Sequence, residues 1–217
     1  MLRGKRLSIL GDSISTYRGV SNDAVASQYT RYNQYFYREP FPLEGTYWRV
    51  LMDRLGLELS VNNSYSGGNL SGRDNPDSGV MRAKHLSRDD GTSPDLVIVF
   101  MGINDLGRGV SAEVFGEDYL CALTSIKEDH PSAAVCCVNL PDRDIFLKER
   151  AELFNAAILK ITKELGDNFF VADLFSSRLN GDFYYMNTLD GVHPDEDGMR
   201  HIADVVESAI RAHYGIE

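Results

Sequence analysis

The 217-residue chain has no run of about 18 apolar residues, so nothing in it reads as a membrane-spanning helix. Cysteine is scarce: Cys121, Cys136 and Cys137. An odd count with two adjacent residues is a poor disulfide framework, and no CxxC or Cys/His cluster has zinc-ligand spacing. All three are expected to serve as small buried hydrophobes on a helix and a strand, with no metal involved. Positive charge is in short supply too, with 22 Lys and Arg against 32 Asp and Glu and a net charge of −10. An acidic surface repels phosphate backbones, so nucleic acid is not the expected partner, and the few basic residues are scattered rather than blocked. A phosphate-binding GxxxxGK[ST] loop is missing as well. Gly67-Gly68-x-x-x-Gly72 does not supply one, and no cofactor is expected. The apolar stretch ending at Leu10 is too short for a signal-peptide core and is broken by Gly11 and Asp12, which reads as cytoplasmic.

What is present is an α/β pattern. Residues 6–10, 96–101 and 134–139 are apolar almost throughout, as strands covered on both faces must be. Residues 57–62 and 169–173 add two more, each preceded by a glycine able to end a helix, Gly56 and Gly166. Helical patterns fall between them, over 48–55 after Thr46, 113–129, 146–165 and 196–213. Phe154, Ile158, Ile161 and Leu165 share one helical face, as do Met199, Ile202, Val206, Ala209 and Ile210. Strand-helix alternation implies a flavodoxin-like parallel sheet of about five strands with helices on both faces, one three-layer α/β/α domain spanning 1–217.

Two segments depart from this scheme. Residues 14–46 form a long insertion in a place where such folds use a short connection. Residues 17–48 hold nine of the 22 aromatic residues, among them Tyr29, Tyr32, Tyr35, Phe36, Tyr37 and Trp48. These suit either a platform for sugar rings and short acyl chains or a hydrophobic plug on the sheet. The second segment, 174–192, is polar and carries a turn signal at Asn180-Gly181.

Four short motifs lie after strands or before the last helix, on the edge where open α/β sheets bind ligands. Gly11-Asp12-Ser13 ends the first strand, though alone it fits a turn or helix cap equally well. Asn63-Ser64-Tyr65-Ser66-Gly67-Gly68 follows the second, and its glycines let a backbone N–H approach a ligand. Gly102-Ile103-Asn104-Asp105 follows the third. The Asn104 amide can donate to an oxyanion without carrying charge, while Asp105 taken alone reads as a turn former. Asp190-Gly191-Val192-His193-Pro194 precedes the last helix. Its spacing lets a carboxylate hold one imidazole nitrogen while the other faces a nucleophile. His85, His130, His201 and His213 lack such an Asp and read as surface or packing residues.

In order and context these motifs resemble the SGNH hydrolases, also called the GDSL lipase/esterase family, from Leu10 to about Ala209. Here the first block reads Gly-Asp-Ser-Ile-Ser in place of Gly-Asp-Ser-Leu. The resemblance implies an ester hydrolase with Ser13 as nucleophile, His193 as its base and Asp190 as the orienting acid. It also implies an oxyanion hole from the Ser13 N–H, the Gly67 N–H and the Asn104 side chain. Gly67 aligns best with the family's second block, and Gly68 is the alternative donor. The implied substrates are small acyl esters, with short-chain or acetylated carbohydrate esters favoured and lysophospholipids or thioesters as alternatives. A non-catalytic module binding an acylated glycan on the same fold is a different reading, made unattractive by the complete residue set.

Overall fold

The computed structural model describes residues 2–21, 41–142, 147–178 and 187–216. The expected aromatic positions Tyr29, Tyr32, Tyr35, Phe36 and Tyr37, the helix start at Phe146 and the Asn180-Gly181 turn lie outside them.

Among the described residues five strands form: β1 (Arg6–Gly11), β2 (Glu58–Ser64), β3 (Leu96–Phe100), β4 (Ala134–Val138) and β5 (Phe169–Ala172). They make one parallel sheet in the order β2-β1-β3-β4-β5. The near-continuous apolar runs are the three inner strands, where β3 and β4 are buried at every position. Cys136 and Cys137 sit side by side in β4, buried and free, whereas Cys121 is only half-buried, a small correction to its expected place in the core.

Among the described residues six α-helices accompany the sheet: α1 (Tyr47–Leu55), α2 (Gly79–Arg82), α3 (Ile103–Gly107), α4 (Ala112–Asp129), α5 (Lys148–Leu165) and α6 (Glu196–Tyr214). α1 packs on α6 and α4 on α5, so the sheet lies between two helical layers. The helical faces read from the sequence are the ones that meet the core: Phe154, Ile158 and Ile161 on α5, and Met199, Ile202, Val206 and Ile210 on α6. Thr46 stands at the N-cap of α1 as expected, but its hydroxyl donates to the Leu43 carbonyl at 2.8 Å and caps no helical N–H. None of the helices of the described residues is long and apolar enough to cross a membrane.

The flanks of the long insertion resolve one ambiguity in part. Tyr17, Phe41, Tyr47 and Trp48 are buried, and the Tyr17 hydroxyl donates to the Phe41 carbonyl at 2.9 Å. These flanking aromatics belong to the hydrophobic core.

Strand order places the site. The chain runs from β1 outward to β2, then crosses back to β3 on β1's other side, so β1 and β3 bound a topological switch point. Gly11, the last residue of β1, pairs with Ser64 of β2 and with Phe100 of β3. Three loops therefore leave the sheet at one level.

At the opposite end Arg6 grips Asp95 through Nε (2.8 Å) and Nη2 (3.1 Å), fixing β1 against the start of β3. The Arg6 hydrogen bond holds the Asp95 carboxyl at about 2, below its ordinary 3.8. The stabilisation belongs to the ionised carboxylate, so it is complete above about pH 4 and fades as pH falls towards 2. Both side chains are about a third exposed, so solvent screens the pair and its contribution is small. Asp95→Asn should thus lower Tm at pH 7 by about 2–4 °C. In calorimetric scans the difference from wild type should shrink at pH values below about 4.

Candidate active site

Ser13 opens a 3₁₀ turn, Ser13–Ser15, two residues beyond β1. Asp12 caps that turn by accepting the Ile14 N–H at 3.0 Å. The turn is backed from two sides, with Ser15 Oγ on the Tyr47 hydroxyl at 2.8 Å and the Asn62 amide on the Ser15 carbonyl at 2.9 Å. Only glycine fits before it: a Cβ at Gly11 would lie 2.5 Å from the Ser15 Cβ and 2.6 Å from Ser64 Oγ.

His193 arrives from the loop before α6. Leu189 N–H donates to the His193 carbonyl at 2.7 Å, and Asp195 starts α6 by accepting the Gly198 N–H at 2.9 Å. Inside this loop Asp190 uses both oxygens. Oδ1 accepts the His193 N–H at 2.7 Å and the Val192 N–H at 3.0 Å, and Oδ2 bonds the ring Nδ1 at 2.7 Å. Burial alone would raise the Asp190 carboxyl, but the ring and backbone donors outweigh it and hold it at about 2. An ionised Asp190 fixes Nδ1 as the donor nitrogen and leaves Nε2 as acceptor. Nε2 lies 2.8 Å from Ser13 Oγ. The two sequence-distant motifs thus meet in one hydrogen-bonded chain, Asp190 to His193 to Ser13.

The Gly67 loop sits beside this chain. Gly68 N–H donates to the Tyr65 carbonyl at 3.1 Å, closing a four-residue turn. Gly67 takes φ +71° at the third position of that turn, the value of a type II turn, where a side chain is strained. The Ser13 and Gly67 N–H groups donate to no other described residue, whereas the Gly68 N–H is already engaged. This favours Gly67 over Gly68 as the amide open to a ligand. Asn104, on the first turn of α3, gives one Nδ2 hydrogen to the Gly68 carbonyl at 3.1 Å and keeps the second.

Three residues supporting the site escape a reading of the sequence. Asp105 is not the turn former expected. It is fully buried and accepts the Leu70 and Ser71 N–H groups at 2.7 and 2.9 Å, anchoring the stretch that follows Gly68. Arg82 on α2 is buried beneath the loops, donating to the carbonyls of Asn63, Gly11 (3.0 Å) and Asp77 (2.9 Å). Arg108 donates to the Gly67 carbonyl at 2.6 Å. The signals that could have found two of them are adjacency to Asn104 for Asp105 and the i, i+4 spacing from Asn104 for Arg108. Nothing local marks Arg82.

The floor of the site is polar and buried. Burial pushes the Asp12 carboxyl up to about 6; the Ile14 N–H and the charges of His193 and Arg82 oppose that rise without cancelling it. The other histidines stay out of the site, as expected. His85 is exposed, His130 meets Ser93 Oγ at 3.2 Å, His201 lies between Arg178 and Ser177, and His213 stacks on Phe170 at 4.2 Å. Among the described residues no group of His, Cys, Asp and Glu has the makings of a metal site.

The sequence profile of the GDSL-like Lipase/Acylhydrolase family matches residues 9–201, a span that holds all four motifs. The chain belongs to that family. It is accordingly a carboxylic ester hydrolase. No curated protein matches its sequence. Among solved structures, a Bacteroides ovatus protein assigned as a GDSL-like lipase superimposes with a TM-score of 0.71 at 20% identity, covering 96% of this chain and 99% of its own. A carbohydrate esterase family 2 enzyme with a carbohydrate-binding domain, from Corynascus thermopiles (Myceliophthora fergusii), gives 0.70 at 17%, covering 99% and 68%. The psychrotrophic esterase EstA of Pseudoalteromonas gives 0.64 at 16%, covering 96% and 97%. At such identities the likeness speaks for the three-layer fold.

Asp105→Ala would strand two buried N–H groups that now share a carboxylate. It should cost about 3 kcal/mol in urea unfolding. It should also lower ester hydrolysis, because the loop after Gly68 loses its anchor. A cost under about 1 kcal/mol would mean that the loop finds other acceptors.

Proposed function

We propose that the protein hydrolyses short-chain acyl esters, including acetylated carbohydrates, through a covalent acyl-enzyme on Ser13. The observation that carries this reading is the unbroken chain from Asp190 through His193 to Ser13 Oγ, at 2.7 and 2.8 Å. His193 Nε2 takes the hydroxyl proton as Oγ attacks the ester carbonyl. The resulting oxyanion accepts from the Ser13 and Gly67 N–H groups and from the spare Asn104 hydrogen. His193 then returns the proton to the departing alcohol, the tetrahedral intermediate collapses, and the acyl group stays on Ser13. Water, deprotonated by the same imidazole, releases the carboxylic acid and restores the serine.

The Asp190 carboxylate stays ionised throughout and offsets the imidazolium charge that forms at each transfer. Its low pKa, about 2, keeps it competent across the range in which an imidazole base works.

Two considerations support small substrates. Long acyl chains need an extended apolar surface. The exposed large hydrophobics of the described residues, Met81, Val114, Leu120, Leu153 and Leu159, lie on α2, α4 and α5, and none is in the loops that carry Ser13, Gly67, Asn104 or His193. The fold is also shared with a carbohydrate esterase of Corynascus and with a family two carbohydrate esterase of Clostridium thermocellum.

A small fluorophosphonate tests the chemistry without knowledge of the substrate. Intact-mass and peptide mapping should find one adduct, on Ser13, and His193→Ala should abolish it. Failure to label between about pH 6 and 9, where the imidazole is competent, would refute the nucleophile assignment. Substrate size has its own test: acetyl esters should turn over faster than dodecanoyl esters, and the reverse order would refute the short-chain assignment.

A further inference from the structure

The amide of Gly67 is useful only if it points at the oxyanion, and the local sequence does not decide that. Tyr65–Gly68 is a four-residue turn closed by the Gly68 N–H on the Tyr65 carbonyl at 3.1 Å. Types I and II of such a turn share their ends and differ by a flip of the central peptide, here Ser66–Gly67. That flip reverses the Gly67 N–H. Type II needs a positive φ at the third residue and type I a negative one, and glycine accepts either almost equally. Glycine at this position therefore does not by itself fix the direction of the amide, and the observed φ is +71°.

α3 and the residue that ends it hold the loop from outside. Asn104 and Arg108 are four residues apart, so they project from one side of the short helix and of the residue that ends it. They grip consecutive carbonyls of the loop: Asn104 Nδ2 binds Gly68 O at 3.1 Å, and Arg108 Nη1 binds Gly67 O at 2.6 Å. Arg108 Nη1 also holds the Asn69 side-chain oxygen. Arg108 Nη2 flanks Gly67 closely, 3.4 Å from where a Cβ would stand. With its carbonyl held by Arg108 and its partner N–H by Tyr65, the Gly67–Gly68 peptide is fixed at both ends. These bonds fix where the Gly67 loop sits relative to α3.

We propose that Arg108 is a positioning residue that holds the Tyr65–Gly68 turn against α3 so that the Gly67 amide is presented to the oxyanion. The inference rests on the ester-hydrolysis reading above. Arg108 is surface-exposed and forms no ion pair among the described residues, so a conventional stabilising role for it is small. Its bonds to uncharged oxygens of the loop are what it contributes.

The test is steady-state kinetics of wild type, Arg108→Met and Arg108→Lys on a short-chain p-nitrophenyl ester, with melting curves for each. Arg108→Met should lower kcat by about 10- to 100-fold, less than the 10²–10³ typical of deleting a donor outright, because the amide remains but is aligned less often. KM and Tm should change little. Arg108→Lys should recover part of kcat, since an ammonium still reaches the Gly67 carbonyl. Unchanged kcat in Arg108→Met would overturn the proposal. A rise in KM alone would overturn it too and make Arg108 a substrate contact. Wild-type protein that neither turns over the ester nor labels at Ser13 would remove the parent reading, whereas active wild type with an indifferent Arg108→Met removes this inference only.

Discussion

Gly11 pairs with Ser64 on one side and with Phe100 on the other, and from that shared level the loops carrying Ser13, Gly67 and Asn104 all depart. Parallel register is strongly held here because the inner strands bury both faces, so a slip of one residue would turn every side chain to the wrong layer. The packing at Gly11 is tight enough to exclude a methyl group, and its carbonyl accepts from both the Tyr65 N–H and Arg82. Relative placement of the three loops is thus a property of the sheet. The hydrophobic core supplies the energy for it, and the site inherits its precision.

Beneath the loops lies a layer of buried polar groups that an apolar core would not tolerate unpaired. Arg82 satisfies backbone carbonyls at the ends of β1 and β2, and Asp105 satisfies backbone N–H groups after Gly68. Each replaces solvent with a fixed partner. Such a layer is already oriented before a substrate enters, which is what makes hydrogen-bond donors effective against charge that develops in a transition state. Asp12 shows what this costs: enclosed next to Ser13, its carboxyl is pushed up to about 6 by burial.

His193 reaches the site by a different route. Its loop is organised by Asp190, which binds the backbone it belongs to with one oxygen and the imidazole with the other. Loop conformation and ring orientation therefore depend on a single carboxylate. Docking of α6 on the sheet and on α1 then brings this prearranged unit to within 2.8 Å of Ser13, across 180 residues of chain.

The alternation of apolar strands with amphipathic helices was sufficient for the three-layer architecture, since a buried strand and a one-faced helix each leave a direct compositional mark. The four motifs were legible for a similar reason: each is a contiguous stretch at a strand end or before the last helix. The Asp190–His193 pairing in particular is a matter of three-residue spacing. What the sequence left open are relations between segments. Gly67 and Gly68 are equivalent as letters, and only the hydrogen bond from Gly68 to Tyr65 separates them. Asp105 read as a turn former because its partners, Leu70 and Ser71, lie about 35 residues earlier. Arg82 gave no signal, because a cation that binds backbone carbonyls needs no complementary residue type that a sequence would reveal. Sequence alone determined the fold and pointed to the groups proposed to react, through local pattern and spacing. Tertiary structure decided which amides are free and what holds them, because a backbone donor carries no side-chain signature and its availability depends on where the rest of the chain has gone.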